Sequence, residues 1–252
     1  MTYVTLLELQ LGPDWPLLCF VFFSTITGYN FVKYFGLAKF HHRSLAKWLK
    51  IIQVFSFFCF LLMLWFALQL EYQTLVYIAV FAAVTFLYAI PFLPRHLFMD
   101  KGRNLRNIGG LKVYVIALVW AGVTVLLPVL NKDAIFNMDV WITAVQRFIL
   151  VMLLMLPFEI RDLKYDSLKL ATIPQKIGVK NTKIIGVALA MVFFMLEFVK
   201  ETLTLKLILL TLTITFVTVL FIAFSNKNRK DYYSSFWVES VPILWLLLHF
   251  IF

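Results

Sequence analysis

Residues 140–166 read VWITAVQRFILVMLLMLPFEIRDLKYD, and this stretch decides the fold. Its first part, 140–158, is almost wholly apolar and close to the length of about 20 residues that an α-helix needs to cross a membrane. A run of charged residues follows at once, from Glu159 to Asp166. The abrupt change predicts a membrane helix that ends where the chain enters water.

The same alternation of apolar runs and polar connections extends over the chain. Of its 252 residues, 62% are hydrophobic and 14% are charged, whereas soluble domains are about 45–50% apolar and about 25% charged. This composition excludes a soluble domain, a disordered chain and a collagen-like fibre. Backbone polar groups in hydrocarbon must be paired within helices or closed barrels, and no alternation of polar and apolar residues predicts a barrel. We therefore expect one all-α domain over residues 1–252, with eight transmembrane helices near residues 15–32, 51–70, 72–94, 113–130, 140–158, 184–199, 207–224 and 236–252.

The basic residues are distributed unequally between the two sides of these spans. The formal net charge is +10, and most of the Lys and Arg residues follow the first, third, fifth and seventh spans. Cytoplasmic loops carry such an excess, so the pattern predicts a multi-pass protein of an inner or cytoplasmic membrane, with basic loops cytoplasmic and both termini outward. The excess then needs no nucleic-acid partner. Residues 1–13 carry no Lys or Arg, so no cleavable signal peptide is expected, and Cys19 and Cys59 lie in apolar runs that predict no disulfide.

Three carboxylates after the fifth span form the most informative pattern. Glu159, Asp162 and Asp166 are spaced i, i+3 and i+7, which places them on one face of a helix. Such oxygen ligands suit Mg²⁺ together with substrate phosphates, and the neighbouring Arg161 and Lys164 can bind phosphate oxygens. The same run is also typical of a solvated helix whose charges balance one another.

This segment resembles the second acidic motif of the UbiA superfamily of intramembrane prenyltransferases. After the three acids come Thr172-Ile-Pro174 and then Gly178, where that family has Thr-Leu-Pro and a Gly. A second similarity is Tyr88-Ala-Ile-Pro91 followed by basic residues and Asn107. The chain departs from the family after Asn30, because Phe31, Tyr34 and Ala38 stand where the first acidic motif would be. The first of the family's nine helices also has no counterpart among the predicted spans.

The resemblance implies a cytoplasmic site for an isoprenoid or other lipid diphosphate. It implies a single Mg²⁺ held by Glu159, Asp162 and Asp166, and diphosphate contacts from Asn30, Lys33, Arg95, Lys101, Arg103, Arg161 and Lys164. Because the first metal motif is absent, prenyl transfer is expected to be lost or altered, which leaves a lipid-binding or protein-binding membrane component. The alternative is an active one-metal enzyme that transfers a prenyl group to an aromatic or lipid acceptor, with Lys33 replacing a metal.

Arg147 lies within the fifth span, next to Gln146. Charges inside a membrane are costly and normally face a partner in the bundle. Glu197, at the outer end of the sixth span, is the predicted counter-ion. Both a deep functional site and a pair that locks two helices fit this pattern.

Overall fold

A computed structural model describes residues 1–38, 47–89, 110–164, 172–229 and 231–252. Within these ranges every regular element is a helix. The α-helices are α1 Thr2–Glu8, α2 Trp15–Ala38, α3 Lys47–Ala67, α4 Tyr72–Ala89, α5 Leu111–Ala121, α6 Leu127–Asn131, α7 Met138–Asp162, α8 Ile173–Met195, α9 Leu205–Ala223 and α10 Val241–Ile251. Two π-helical segments, Gly122–Leu126 and Tyr233–Val238, and the 3₁₀ segment Leu196–Val199 join some of them.

Six helical stretches in the described ranges are long and apolar enough to cross a membrane: Lys50–Ala67, Leu111–Asn131, Met138–Asp162, Ile173–Val199, Leu205–Ala223 and Tyr233–Ile251. They indicate a multi-pass integral membrane protein and agree with the predicted helical bundle. Helices α2 and α4 lie at the two remaining predicted spans, and the total of eight stays a prediction. Cys19 and Cys59 form no disulfide.

Helix α7 forms the centre of the bundle and packs against α5, α8 and α9. Its side chains Leu150 and Leu153 are fully buried in a cluster that also contains Ile214 of α9 and Trp245 of α10. Lipid tails are as apolar as these side chains, so close packing and polar contacts, rather than transfer out of water, hold such helices together. At Gly186 of α8 a Cβ would lie 3.0 Å from Leu156 and 3.1 Å from Ile222, a spacing that shows how closely α8 approaches both neighbours.

Helices α2 and α3 form an antiparallel pair beside this centre. Their contact includes a side-chain hydrogen bond in which Asn30 Nδ2 donates to Ser56 Oγ at 2.6 Å. Most of the α3 surface is exposed, including Ile51 and Trp65. A helix that is apolar all round and exposed in this way is suited to contact with acyl chains.

Two elements differ from the sequence-based expectation. Helix α8 begins at Ile173, well before the predicted start at 184, because Thr172 caps it and Gln175 Oε1 accepts a hydrogen bond from the Thr172 N–H at 3.1 Å. No predicted span includes residues 1–13, and within them Thr2–Glu8 form a short helix. Its Val4, Thr5 and Glu8 are buried against the bundle. Tertiary contacts stabilise α1, since a helix this short is marginal alone.

Candidate functional site

The end of α7 carries the first two acids of the predicted metal motif. Glu159 is only 2% exposed, and its Oε2 accepts a hydrogen bond from the Ile173 N–H at 3.3 Å. This contact ties the end of α7 to the first residue of α8. Asp162 lies one helical turn further on, and its side chain is 26% exposed. The two carboxylates thus lie near the same end of the bundle, one inside it and one at its surface.

Arg161 is the organising cation of this end. Its Nε donates to Asp162 Oδ1 at 2.7 Å, and its Nη1 donates to Ser234 Oγ at 2.7 Å. The guanidinium also lies 5.2 Å from the ring centre of Phe158 and 3.9 Å from Asp231 Oδ1. Arg161 is therefore fixed between α7 and the Tyr233–Val238 segment, which precedes α10.

Ser234 and Asp231 were not among the predicted site residues. They lie some 70 positions after Arg161, so no motif spacing pairs them with it. In the structure, Ser234 lies in the π-helical segment Tyr233–Val238, and π-helical turns often occur at functional sites. Hydropathy alone does not distinguish such a turn from α-helix.

The residues that follow the acidic motif have structural roles. Thr172 is the N-cap of α8 and Pro174 occupies its first turn, where a missing N–H leaves no hydrogen bond unmade. Gly178 has φ +79° and ψ 159°, which breaks the helix between its first turn and its long second part. Only glycine adopts this conformation readily. The Thr-Ile-Pro and Gly pattern is thus explained by a capped helix start followed by a kink.

Of the remaining predicted site residues, some lie within the described part of the chain and others lie outside it. Asn30 lies near the end of α2 and donates to Ser56, and Lys164 is exposed just beyond α7. Lys33 lies in α2, but its side chain is outside the description, and Asp166, Arg95, Lys101 and Arg103 lie outside the described residues altogether. Where the structure is described, no group of three His, Cys, Asp or Glu residues could hold a metal. The complete carboxylate motif includes Asp166 and stays a prediction.

A second polar cluster lies towards the other end of α7, and it corrects the predicted partner of Arg147. Arg147 Nη2 lies 3.8 Å from Glu8 Oε2 and donates to Thr5 Oγ1 at 3.1 Å. Glu197 instead accepts from Gln146 Nε2 at 2.9 Å and from Lys200 Nζ at 3.0 Å. The predicted Arg147–Glu197 pair is wrong because α1 places Glu8 beside Arg147, while Lys200 neutralises Glu197.

Comparison with known proteins returned no matching family model, no matching curated protein and no matching solved structure. The resemblance to the UbiA superfamily rests on the motif residues alone.

Proposed function

We propose that this chain is a UbiA-like membrane protein that binds an isoprenoid or other lipid diphosphate at the end of α7, with prenyl transfer lost or altered. The observation that carries the proposal is the position of Arg161, which donates to both Asp162 and Ser234 at the end of α7 that also carries the buried Glu159. A guanidinium fixed beside carboxylates can contact phosphate oxygens directly while the carboxylates hold a cation.

We propose that the metal bound at this end is Mg²⁺, on the chemistry of the side chains present. Glu159 and Asp162 supply hard oxygen ligands one helical turn apart, and Mg²⁺ typically takes one or two carboxylates with water and phosphate as the other ligands. When bound, Mg²⁺ would neutralise diphosphate charge. Arg161 would orient the headgroup, and Lys164, exposed beside it, would add a second positive charge. Asp166, the third acid of the motif, belongs to the same proposed site.

The proposal also includes the number of membrane spans and their orientation. We propose eight spans, cytoplasmic basic loops and outward termini in an inner or cytoplasmic membrane. The distribution of Lys and Arg in the sequence supports this orientation. It would place the end of α7 that carries Arg161 at the cytoplasmic surface, where water-soluble Mg²⁺ and the diphosphate of a membrane lipid meet.

The binding test uses purified protein in nanodiscs with geranylgeranyl diphosphate, inorganic diphosphate and geranylgeraniol, each with Mg²⁺ or with EDTA. We expect geranylgeranyl diphosphate to bind in a Mg²⁺-dependent manner, and geranylgeraniol to bind weakly. Asp162→Asn should weaken binding about tenfold, the effect of about 1.4 kcal/mol. Asp133→Asn, at the other end of the bundle, is the matched control. Equal binding of the alcohol, or an unchanged affinity in Asp162→Asn, would refute the proposal.

A transfer test separates lipid binding from catalysis. Release of diphosphate from labelled geranylgeranyl diphosphate is measured in the presence of membrane lipids and aromatic acceptors. We expect binding without release, since the first metal motif is absent. Sustained release that falls in Lys33→Ala would instead identify the one-metal prenyltransferase in which lysine replaces a metal.

A further inference from the structure

The last turn of α9 is contacted by two basic side chains that have no role in the proposed diphosphate site. Lys183 of α8 donates from Nζ to the Ala223 carbonyl at 2.8 Å, and Arg229 donates from Nε to the Phe224 carbonyl at 3.2 Å. The Arg229 guanidinium also lies 5.2 Å from the ring centre of Tyr233. Two cations from different parts of the chain are therefore held at the carboxyl-terminal end of α9.

The helix end compensates only part of this positive charge. The carboxyl terminus of an α-helix carries roughly half a negative charge, whereas Lys183 and Arg229 each carry a full positive charge. Lys180 lies one turn before Lys183, Lys227 follows α9, and both side chains are exposed. We call Lys180, Lys183, Lys227 and Arg229 the α9-end basic cluster. Among the described residues, no carboxylate forms an ion pair with any member of this cluster.

The acids described nearby face Arg161 instead. Asp162 and Asp231 form ion pairs with Arg161 at 2.7 and 3.9 Å. From the start of α8 to the end of α9 the chain contains two acids, Glu197 and Glu201, and both lie at the opposite end of these helices. An anion that compensates the α9-end basic cluster would therefore come from outside the described part of the chain.

Exposed apolar side chains lead away from the cluster along both helices. They are Ile184, Ala188 and Met191 on α8, and Phe216, Leu220 and Ala223 on α9. Residues three or four apart lie on one face of a helix, so each set forms a stripe. Lys180 precedes the α8 stripe by one turn, and Lys227 follows the α9 stripe. Apolar stripes of this kind suit acyl chains, and long basic side chains at their ends can extend to the lipid headgroups.

Aromatic side chains beside the cluster are typical of the same depth in a membrane. Tyr232 and Phe236 are exposed, and their ring centres lie 4.8 Å apart in a stacked arrangement. Trp237 is exposed next to them. Tyr and Trp are concentrated at the level of the lipid headgroups. Since Arg229 packs on the adjacent Tyr233, we expect the cluster at the depth of the lipid phosphates.

We propose that Lys183 and Arg229 bind the phosphate of an anionic phospholipid, whose acyl chains lie along the exposed stripes of α8 and α9. The carbonyl contacts use one N–H group of each cation, so the others are available for phosphate oxygens. A lipid with a net negative charge compensates the surplus charge of the cluster, whereas a zwitterionic lipid brings its own ammonium group. The site requires no metal and shares no residue with the proposed diphosphate site.

The test is native mass spectrometry of the purified, delipidated full-length protein in EDTA. The protein is titrated with phosphatidylglycerol or with phosphatidylcholine of the same acyl chains. We expect phosphatidylglycerol to bind more tightly. Lys183→Gln or Arg229→Gln should lower this preference about fivefold, which corresponds to about 1 kcal/mol for one basic residue near an anionic lipid. The double variant should lose most of it. A glutamine amide can still donate a hydrogen bond, so these changes remove charge and keep a donor.

Lys50→Gln is the matched control. It removes the same charge from an exposed lysine on α3, which packs mainly against α2 and not against α8 or α9. It should keep the wild-type preference, and so should Asp162→Asn, which alters only the proposed diphosphate site. Arg229→Lys keeps the charge and should retain most of the preference. Thermal unfolding in phosphatidylcholine ensures that a lost preference is not a lost fold.

Equal binding of the two lipids to the wild-type protein would overturn the proposal, as would a double variant that keeps the wild-type preference. A loss in Lys50→Gln as large as that in Lys183→Gln would also overturn it, because the preference would then reflect diffuse surface charge. Soluble glycerophosphate that displaces phosphatidylglycerol at equal concentration would exclude a lipid as the ligand. Because EDTA is present throughout, failure of the Mg²⁺-dependent diphosphate test leaves these outcomes unaffected.

Discussion

At the residue scale, the bundle stabilises the buried carboxylate of Asp139 by giving it several donors. Asp139, near the start of α7, is 2% exposed. It accepts hydrogen bonds from the N–H groups of Glu201 and Thr202 at 2.7 and 3.1 Å, and from Thr202 Oγ1 at 2.5 Å. The carboxylate therefore anchors the connection between α8 and α9 to α7.

Replacing Asp139 by Ala should destabilise the protein by about 3 kcal/mol, because two backbone donors would be left without a charged acceptor. Asp139→Asn keeps one oxygen acceptor and should cost about half as much. Thermal unfolding of the detergent-solubilised variants measures the difference. An Ala variant as stable as the wild type would show that the Glu201–Thr202 turn is held by other contacts.

Glu8 gives the protein a defined response to acid. Burial opposes its ionisation, but the adjacent His249 and the charges of Lys200 and Arg147 hold the pKa of Glu8 below its ordinary value. A carboxylate with a lowered pKa contributes stability that is complete above its unfolded value of about 4.3 and is lost as the pH falls through the folded value.

We therefore expect the melting temperature to fall as the pH is lowered below about 4.3, with a weaker fall in Glu8→Gln. The difference between the wild type and Glu8→Gln, measured in parallel from neutral pH downwards, isolates the contribution of this carboxylate. If the two melting curves fall in parallel, Glu8 is not held by the charges around it.

The sequence was sufficient to predict that a charged side chain inside the membrane needs a partner. It was not sufficient to identify that partner when the partner lies far away along the chain. Arg147 could be predicted to face a partner, since an unpaired arginine in a membrane is costly. Its partner Glu8 could not, because α1 is too short and too polar to register as a span. Arg161 was predicted as a phosphate contact because it lies within the acidic motif. Ser234 contacts it only because α7 packs against the segment before α10.

At the element scale, close approach between helices depends on single glycines. Gly122 begins the π-helical segment after α5, and a Cβ built there would overlap the ring of Phe81 on α4. Because Gly122 has no side chain, α4 can pack closely against the π-helical segment Gly122–Leu126, as small residues commonly allow in membrane bundles. Gly28 of α2, by contrast, has open space where a Cβ would be.

Gly122→Ala should therefore destabilise the protein by about 1–3 kcal/mol, the usual effect of overpacking. Adding Phe81→Leu in the same chain should restore part of the loss, because it removes the ring that the new methyl meets. Gly28→Ala is the control and should be neutral or stabilising, since alanine favours helix. Thermal unfolding of the wild type, Gly122→Ala, Phe81→Leu and the double variant gives the coupling between the two positions, and a Gly122→Ala effect independent of residue 81 would contradict the packing described.

The elements themselves were predictable to different degrees. Apolar runs near 140–158 and 207–224 correspond to α7 and α9, because length and hydropathy suffice for membrane helices. The early start of α8 was missed, although Thr172 and Gln175 form a recognisable helix start, because the lysines that follow resemble a loop. Lys176 and Lys180 are in fact exposed along the helix, and Lys183 Nζ donates to the Ala223 carbonyl at 2.8 Å at the end of α9.

At the scale of the whole molecule, the two ends of the bundle differ in charge. Described basic residues at the Arg161 end include Lys164, Lys176 and Arg229. At the other end Lys132 is paired with Asp14 at 3.9 Å and Lys200 with Glu197 at 3.0 Å. The sequence alone suggested this asymmetry, since it depends on composition and order rather than on packing. The proposed site at the Arg161 end and the polar cluster around Arg147 thus lie towards opposite ends of α7.

Cysteine accessibility can test this orientation. In a background of Cys19→Ala and Cys59→Ala, Ile135→Cys places a thiol in the α6–α7 connection, where Ile135 is 87% exposed. Asn228→Cys places one in the exposed connection after α9. Helices α7, α8 and α9 separate the two positions, so three crossings put them on opposite sides of the membrane. The excess of basic residues predicts that position 228 is cytoplasmic.

We expect a membrane-impermeant maleimide to label Ile135→Cys in intact cells and Asn228→Cys only after permeabilisation. Labelling in the reverse pattern would invert the orientation and move the proposed diphosphate site away from cytoplasmic Mg²⁺ and substrate. Labelling of both positions from one side would contradict three crossings, and with them the assignment of α7, α8 and α9 as spans. Equal labelling of both thiols in detergent provides the reactivity control, because it shows that protection in cells reflects the membrane and not a buried side chain.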